Sequence, residues 1–264
     1  MLKKPPKISI ITPSYNQRNY IESTIKSVLS QNYPNLEYIV MDGGSTDGTV
    51  DILKKYQSKL KWFSQKDKGQ TDAINKGLKI ASGEIIGYLN SDDLYLSETL
   101  SKVSRSFINN PELFWLTGKC QIINDTGKSI RSIATDWKNF WLNNLCEQKK
   151  RLAVLSILNY ISQPATFWRR EAYIKIGGFD DSLKYTMDYD YWFRLMTLSN
   201  YYFIDEYIAE FRVHKRSKGV EYTNEQFSEG FKVSRKYNSN IIIKTFHRMH
   251  DIITLSIYRI LGNI

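Results

Sequence analysis

The strongest constraint on the fold is the alternation of short apolar runs with amphipathic segments over the first hundred residues. Residues 8–12, 36–41 and 85–89 form apolar runs of the length expected for buried strands, and 61–64 is a weaker run of the same kind. Strands that alternate with helices predict a parallel sheet with right-handed crossovers. Such sheets bind ligands beyond the carboxyl ends of their strands, so the polar loops there are the candidate site.

Helical spacing is clear in the segments between these runs. Ile21, Ile25, Val28 and Leu29 share one face, and Asn19 with Glu22 predicts a capping box at the start of that helix. Beyond about residue 110 the pattern is less regular. We predict strands at 114–117 and 165–168, helices at 170–176 and 189–198, an aromatic-rich connection at 137–144, and helices at the C-terminus.

Net charge is the unusual feature of the composition. The 264 residues include 37 Lys and Arg against 27 Asp and Glu, a formal charge of +10, which suggests an anionic partner. Residues 211–264 hold ten basic and four acidic side chains, whereas the rest of the chain is nearly balanced. A nucleic-acid surface would interleave basic and aromatic residues on one element. The excess lies in the C-terminal helices instead, so we expect an attachment surface and no nucleic acid.

The C-terminal segment 240–264 is partly amphipathic. Ile242, Phe246, Met249, Ile253 and Ile260 can share one stripe. It can pack on the catalytic domain or on a second copy in a homodimer, or it can attach peripherally to an anionic membrane.

No secretion signal or membrane-spanning run is visible, and Cys120 and Cys146 lack zinc-site spacing. We therefore expect a cytoplasmic localisation, and the inner face of the cell membrane is one site at which the protein could be located.

Carboxylates dominate the polar loops of the predicted sheet. Asp42, Asp92 and Asp93 follow apolar strands, while Asp72 and Asp188 lie near predicted helix starts. A single such residue is ordinarily a turn or cap residue. Two adjacent acids repel one another unless a cation is near, and oxygen ligands of this kind suit Mg²⁺ or Mn²⁺ shared with substrate phosphates.

A series of motifs resembles the family 2 glycosyltransferases over about residues 7–215. The matching fragments, in order, are TPSYN at 12–16, SVLSQ at 27–31, DGGSTDGT at 42–49, GQTDAINKG at 69–77, GEII at 83–86, LNSDD at 89–93, GGFD at 177–180 and MDYD at 187–190. The resemblance implies an α/β GT-A fold, a Rossmann-like nucleotide-binding mixed sheet flanked by helices, with a C-terminal helical extension. The catalytic domain would span 1–218, with a nucleotide half at about 1–110 and an acceptor half at about 111–218, and the extension would span 219–264.

The resemblance also implies the activity. It would be an inverting transfer of a hexose or N-acetylhexosamine from a nucleotide diphosphate, with UDP-sugars the expected donors. The acceptor would be a hydroxyl of a glycan or lipid-linked molecule in surface polysaccharide synthesis of the bacterial type. A divalent metal, Mn²⁺ or Mg²⁺, would offset the charge on the leaving diphosphate.

Roles for individual residues follow from the same resemblance. Nucleotide-binding residues would be Thr12, Pro13 and Tyr15 around the base, Asp42 and Asp72 at the nucleoside, and Asp92 at the ribose. Metal contacts would come from Asp93, Asp92 and His214. Asp188 would be the catalytic base. Independently of the resemblance, the aromatic residues near Asp188 can form a platform for acceptor sugar rings, and Trp168 and Tyr185 are the candidates. Asp190 is expected to be structural or to bind the acceptor.

Two departures from the family pattern stand out. Asn90 replaces an acid that often opens the metal motif, which moves the expected metal contact to Asp93. Gly43 replaces a second acid that contacts the base in many members, so thymidine and guanosine stay open beside uridine.

A nucleotidyltransferase acting on a sugar phosphate is the alternative enzyme class. It would carry a glycine-rich phosphate loop with basic residues where this chain has TPSYN at 12–16.

Overall fold

A mixed sheet forms the centre of the computed structural model, which describes residues 4–130, 133–145, 147–215, 217 and 221–260. Within them the strands are β1 Ile8–Ser14, β2 Leu36–Asp42, β3 Lys61–Ser64, β4 Ile85–Tyr88, β5 Leu94–Tyr95, β6 Trp115–Ile123, β7 Ser129–Ile130, β8 Thr166–Arg169 and β9 Tyr202–Arg212. The helices are α1 Ile21–Leu29, α2 Thr49–Lys55, α3 Gln70–Ile80, α4 Thr99–Asn109, α5 Ile133–Asn144, α6 Gln148–Leu155, α7 Arg170–Ile176, α8 Met187–Met196, α9 Thr223–Tyr237 and α10 Ile241–Ile260.

The strand order is β3-β2-β1-β4-β8-β6-β9-β5, with β7 paired to β6. The first four strands in this order are parallel, as the alternating pattern predicts, and β8 joins β4 in the antiparallel sense. The parallel strands β1, β2 and β4 therefore end at one edge. This arrangement confirms the predicted fold class, a mixed α/β sheet flanked by helices with a helical C-terminal region.

Two hydrophobic layers cover the sheet, because successive side chains of β1 point to opposite faces. Ile10 packs with the residues of α1 and α4, and Ile11 packs with α3 and α8. Gly77 in α3 lets that helix approach closely, since a Cβ there would lie 2.5 Å from a methyl carbon of Ile11. This contact fixes where α3 begins, and with it the loop that precedes the helix at the sheet edge.

Three local predictions were wrong. The capping box at Asn19 does not form: α1 has Tyr20 at its N-cap without a side-chain cap, and Glu22 accepts a hydrogen bond from the Tyr56 hydroxyl at 2.9 Å instead. The aromatic-rich segment predicted as a connection is helix α5. The strand at 114–117 continues to Ile123, because it pairs along its length with β9, a partner distant in sequence.

The carboxylate of Glu37 on β2 stabilises the far end of the sheet. It accepts hydrogen bonds from the Ser9 hydroxyl at 2.6 Å and the Ser82 amide at 2.8 Å, and pairs with Lys61 at 3.0 Å. Burial alone would raise the pKa of Glu37, but these bonds outweigh it and lower the pKa from 4.5 to about 2.

We expect Glu37→Gln to lower the free energy of unfolding at pH 7 by about 3 kcal/mol, the equivalent of that pKa shift. Because the folded-state pKa is depressed, the stabilisation is complete above about pH 4.5 and is lost as the pH falls towards 2. Urea unfolding at pH 7 and near pH 3 measures both effects. Glu171→Gln, at an exposed pair with Lys175, is the control and should change little at either pH. A difference that does not depend on pH would contradict the electrostatic explanation.

Candidate active site

Loops at the carboxyl edge of β1 and β2 are joined by side-chain hydrogen bonds. The Asn16 amide donates to the Ser45 hydroxyl at 2.8 Å, and the Thr46 amide donates to the Asn16 side chain at 3.0 Å. Asn16 adopts φ 52°, a left-handed conformation that Asn tolerates better than most residues. The two loops thus form one continuous wall at the edge where the site was predicted.

Asp42 organises this wall. Its side chain accepts hydrogen bonds from the Gly44 and Ser45 amides, at 3.1 and 2.9 Å, and from the hydroxyls of Ser45 and Ser64. Only 2% of the residue is exposed. These contacts assign Asp42 a role in shaping the loop, while its predicted contact with a nucleoside stays a prediction.

The three residues predicted to surround the base differ in accessibility. Thr12 and Pro13 are buried, and the Thr12 hydroxyl lies 3.1 Å from the Tyr38 hydroxyl. Tyr15 is 62% exposed. Tyr15 is thus the most accessible of the three side chains, and the predicted contacts of all three with a base stay predictions.

A carboxylate that the sequence analysis missed lies beside Gly43. A Cβ at Gly43 would be 2.7 Å from Oδ2 of Asp67. Asp67 belongs to the loop between β3 and α3 and accepts a hydrogen bond from the Gly69 amide at 2.8 Å. The position that holds a side-chain acid in many family members is therefore filled from a neighbouring loop. Gly43 itself was the signal that could have pointed to such a replacement.

Asp72 lies in the first turn of α3. It pairs with Lys76 at 2.8 Å and accepts a hydrogen bond from the Lys68 amide at 3.0 Å. The hydrogen bond from Lys76, followed by that from the Lys68 amide, lowers the pKa of Asp72. Its side chain is 23% exposed, so it remains accessible to a polar ligand group.

Asp92 and His214 meet across the site. Asp92 Oδ2 lies 3.0 Å from His214 Nε2, and the ring of His214 stacks on Tyr20 with centroids 4.6 Å apart. The Asp92 side chain is 19% exposed. The structure thus brings together two of the three residues that the resemblance assigns to the metal, although they are separated by more than a hundred residues in the chain.

Asp93, in contrast, points into the protein. It is fully buried, and its two oxygens accept hydrogen bonds from the Arg212 amide at 2.9 Å and the Asn90 side chain at 3.1 Å. Burial, and then repulsion by Asp92, raise its pKa well above the usual range. We therefore correct the expectation that the metal contact rests on Asp93: its carboxylate is enclosed, and Asp92 is the acid that faces the site.

Arg212 supports this acidic motif from behind. Its guanidinium donates to the Asp92 carbonyl at 2.8 Å and to the carbonyls of Asn124 and Asp125 at 3.0 and 3.1 Å. It also lies over the Tyr20 ring. Because the same residue donates its amide to Asp93, Arg212 holds both acids of the motif in place. In the sequence, the only indication that Arg212 belongs to the site was its position two residues before His214.

Asn90 connects the site to its neighbours. Its side-chain oxygen accepts from Gln70 at 2.6 Å, and its nitrogen donates to Gln163 at 3.0 Å as well as to Asp93. An aspartate could not donate these bonds. The Asn at this position is thus explained by its partners rather than by metal binding.

A divalent cation fits the exposed part of this site. Among the residues that the structure describes, no three His, Cys, Asp or Glu side chains stand close enough to hold a metal on their own. Mg²⁺ and Mn²⁺ are commonly held by one or two protein ligands and completed by substrate phosphates and water. The Asp92–His214 pair supplies such a partial ligand set.

Asp188 lies in the first turn of α8. Burial raises its pKa, while the hydrogen bond from the Tyr189 amide, at 2.8 Å, and the nearby Lys138 ammonium oppose that change. Burial also lowers the pKa of Lys138, again opposed by Asp188. The phenol of Tyr88, at the end of β4, has its pKa raised by burial and then by the charges of Asp188 and Asp93. Negative charge on Asp188 and on Asp93 thus opposes ionisation of the Tyr88 phenol.

Helix α9 holds the segment before Asp188. The Glu229 carboxylate accepts hydrogen bonds from the amides of Lys184, Tyr185 and Thr186 at 3.0, 2.7 and 2.8 Å. Asp190, expected to be structural, is 1% exposed and bonds Lys236 and Tyr237 of α9. A helix predicted as an extension therefore positions the segment that leads into Asp188, and the boundary at 218 stays a prediction.

The two predicted acceptor-binding aromatics have different surroundings. Trp168 is fully buried and packs against Phe179 and Tyr191. A ring without exposed surface cannot stack on a sugar, so Trp168 is a core residue and that expectation was wrong. Tyr185 is partly exposed and packs against Tyr222, with centroids 5.4 Å apart. Its predicted contact with an acceptor stays a prediction.

Comparison with known proteins agrees with this site. The model for "Glycosyl transferase family 2" matches residues 9–177. An uncharacterized glycosyltransferase of Rickettsia typhi is 32% identical over 212 residues, 79% of this chain and 64% of the relative. TuaG of Bacillus subtilis, named for teichuronic acid biosynthesis, is 39% identical over 117 residues, 43% of this chain and 46% of TuaG. The chain thus spans less than two thirds of the length of these curated relatives.

Solved structures share the fold. The S. aureus TarS 1–349 structure in complex with UDP superposes with a TM-score of 0.65 at 23% identity, over 88% of this chain and 65% of that one. The residues matched by the family model include β2 to β4 and the acidic motif at Asp92. From the family match over most of the described sheet, together with the position of these acids at its edge, it follows that the chain belongs to glycosyl transferase family 2.

Proposed function

We propose that the protein transfers a sugar from a UDP-sugar to a hydroxyl of a glycan or lipid-linked acceptor, with inversion, in the synthesis of a bacterial surface polysaccharide. The observation that carries this proposal is the meeting of Asp92 and His214 at the edge where the parallel strands end, with Asp92 Oδ2 3.0 Å from His214 Nε2. This pair would serve the donor, and Asp188, in the first turn of α8, would serve the acceptor. TuaG and the UDP complex of TarS support the choice of process and nucleotide.

Asp188 would accept the proton of the attacking hydroxyl. A general base works best when its pKa is near the operating pH, and burial shifts the pKa of Asp188 in that direction. The Tyr189 amide, which donates to Asp188 Oδ1 at 2.8 Å, orients the carboxylate, and Lys138 limits the rise in its pKa. A single base is sufficient because the nucleotide diphosphate leaves without a proton from the enzyme.

Asp92 and His214 would hold the divalent cation together with the diphosphate. When bound, Mn²⁺ or Mg²⁺ supplies positive charge that offsets the charge developing on the leaving group. Arg212 and Tyr20 keep the Asp92–His214 pair in place through the contacts described above. The enclosed Asp93 fixes the loop.

Asp67 would contact the base. Its carboxylate beside Gly43 is an acceptor for the N–H donor on the Watson–Crick edge of uracil. Thymine and guanine carry N–H donors as well, so the identity of the base has to be measured. The exposed Tyr15 ring would stack on the base from the other loop.

A thermal-shift series with UDP, GDP and dTDP, each with and without Mn²⁺, tests the proposal. A ligand at 100 times its Kd stabilises by about 2.7 kcal/mol, a rise in Tm of several degrees. We expect UDP with Mn²⁺ to give the largest rise and Asp67→Ala to reduce it selectively. A larger shift with GDP would overturn the choice of uridine, and no shift with any nucleotide diphosphate would overturn the proposed function.

A further inference from the structure

Helix α10 is attached to the body of the protein by polar residues. His247 is 4% exposed, and its Nδ1 lies 2.8 Å from the Ser156 carbonyl. Its Nε2 lies 3.4 Å from Asp251, and its ring meets the Phe231 ring edge-on at 5.3 Å. A surface helix ordinarily turns its apolar stripe to the core and its polar face to water. In α10 the polar face is turned inward.

The apolar face of α10 is correspondingly exposed. Seven large side chains are 43–72% exposed: Ile241, Ile242, Phe246, Met249, Ile252, Ile253 and Ile257. Four of the five residues of the predicted stripe are among them, and the side chain of Ile260 lies outside the described residues. Contiguous apolar surface on this scale marks a site of interaction. In the part of the chain that the structure describes, no helix is long and apolar enough to span a bilayer.

Basic residues flank this face. The guanidiniums of Arg235 and Arg248 both lie over the Phe231 ring, with 5.8 and 4.9 Å to its centroid, so two positive charges are held close together. Neither has a carboxylate partner among the described residues, and both are exposed. Arg259 adds a third exposed cation near the end of the helix. Like charges placed together call for an anionic partner.

We infer that α10 lies on an anionic lipid surface, with its apolar face among the acyl chains and Arg235 and Arg248 at the phosphates. A second copy of the chain is the less favourable occupant. The only acid in α10 is Asp251, whose side chain is 15% exposed and bonded to His247 and His250. A symmetric partner helix would therefore bring more arginine and no free carboxylate, whereas phospholipid headgroups supply the missing negative charge.

Co-sedimentation of the full chain with lipid vesicles tests the inference. We expect binding to vesicles that contain phosphatidylglycerol and little binding to pure phosphatidylcholine. The variant Ile242→Ser with Phe246→Ser and Ile253→Ser should reduce binding by at least about tenfold, because it removes the apolar anchor. Arg235→Gln with Arg248→Gln should remove the preference for the anionic vesicles, and added salt should weaken binding of the wild-type chain.

Controls separate this result from unfolding and from dimer formation. Ile174→Ser removes an apolar side chain that is 67% exposed on α7, and it should bind vesicles like the wild type. Each variant should keep its circular dichroism spectrum and its UDP-induced thermal shift, which depends on the proposed function and not on the helix. Equal binding by the triple variant would overturn the inference. So would a wild-type dimer in light scattering that the triple variant converts to a monomer without any vesicle binding.

Discussion

Asp188→Asn is expected to abolish sugar transfer while nucleotide binding persists. General-base catalysis contributes roughly 10²–10⁴ in rate, so kcat should fall by about a thousandfold. The amide cannot accept the proton, whereas the donor site at Asp92 and His214 is untouched. Initial rates of nucleotide diphosphate release in the presence of acceptor measure kcat, and calorimetry with the nucleotide sugar measures Kd.

The same variant should not lose stability. Burial raises the pKa of Asp188, so its ionised form costs folding free energy at neutral pH. Removing the charge removes that cost, and Tm should stay the same or rise. Because the pKa of Asp188 is higher in the folded state than in the unfolded state, protonation of Asp188 favours folding. The free energy of unfolding of the wild type should therefore decrease as the pH rises through the folded-state pKa. Loss of activity without a fall in Tm would indicate that Asp188 serves catalysis rather than stability.

Asp190→Asn is the matched control on the same helix. Asp190 bonds Arg194, Lys236 and Tyr237 in the interior, so its replacement should lower Tm. Its effect on turnover should be far smaller than that of Asp188→Asn once the protein is folded. Full turnover by Asp188→Asn, or a loss of transfer shared equally by both variants, would contradict the assignment of the base.

Asp92→Ala should give the second large effect, a loss of the metal-dependent part of nucleotide binding. In the proposed site Asp92 is the accessible acid, and its only described side-chain partner is His214. Loss of one of two protein ligands should weaken UDP binding in Mn²⁺ by roughly 10²-fold, about 2.7 kcal/mol. Calorimetry with UDP, in Mn²⁺ and in EDTA, separates the metal-dependent part from the rest.

Two further variants sharpen that test. Asp51→Ala removes an exposed acid of α2 that pairs only with Lys54 among the described residues, and it should leave UDP affinity unchanged in both conditions. Asp93→Asn should lower Tm more than it changes the metal response, because Asp93 is enclosed by Arg212 and Asn90. Equal UDP affinity of the wild type with and without Mn²⁺ would refute the metal role of Asp92.

Regular periodicity made the first half of the fold predictable. Strands β1, β2, β3 and β4 and helix α1 lie where the apolar pattern places them, because each is short and bounded by polar loops. Prediction failed at α5 and at the extended β6 and β9. The aromatic residues of α5, Trp137, Phe140 and Trp141, do follow helical spacing, and that signal was overlooked. A long strand such as β9 is stabilised by a partner far away in sequence.

The candidate site shows the same division. The acids at 92, 93 and 188 were identifiable from motif and order, but their roles depend on which way each carboxylate points. Asp92 faces the site and Asp93 faces the interior, although both follow the same strand. Asp67 and Glu229 were missed because each acts through a segment that only the folded chain brings near.

The sequence by itself determined the parallel half of the sheet, the family and the residue types at its carboxyl edge, since periodicity and motif order are local properties of the chain. Only the tertiary structure decided which acid is accessible, which aromatic is buried, and that α10 turns its apolar face outward. Those outcomes depend on burial and on hydrogen bonds between distant segments, such as Arg212 with Asp93 and His247 with Ser156. Arg235, Arg248 and Arg259, three of the basic residues of the C-terminal region, are exposed, as is the apolar stripe of α10.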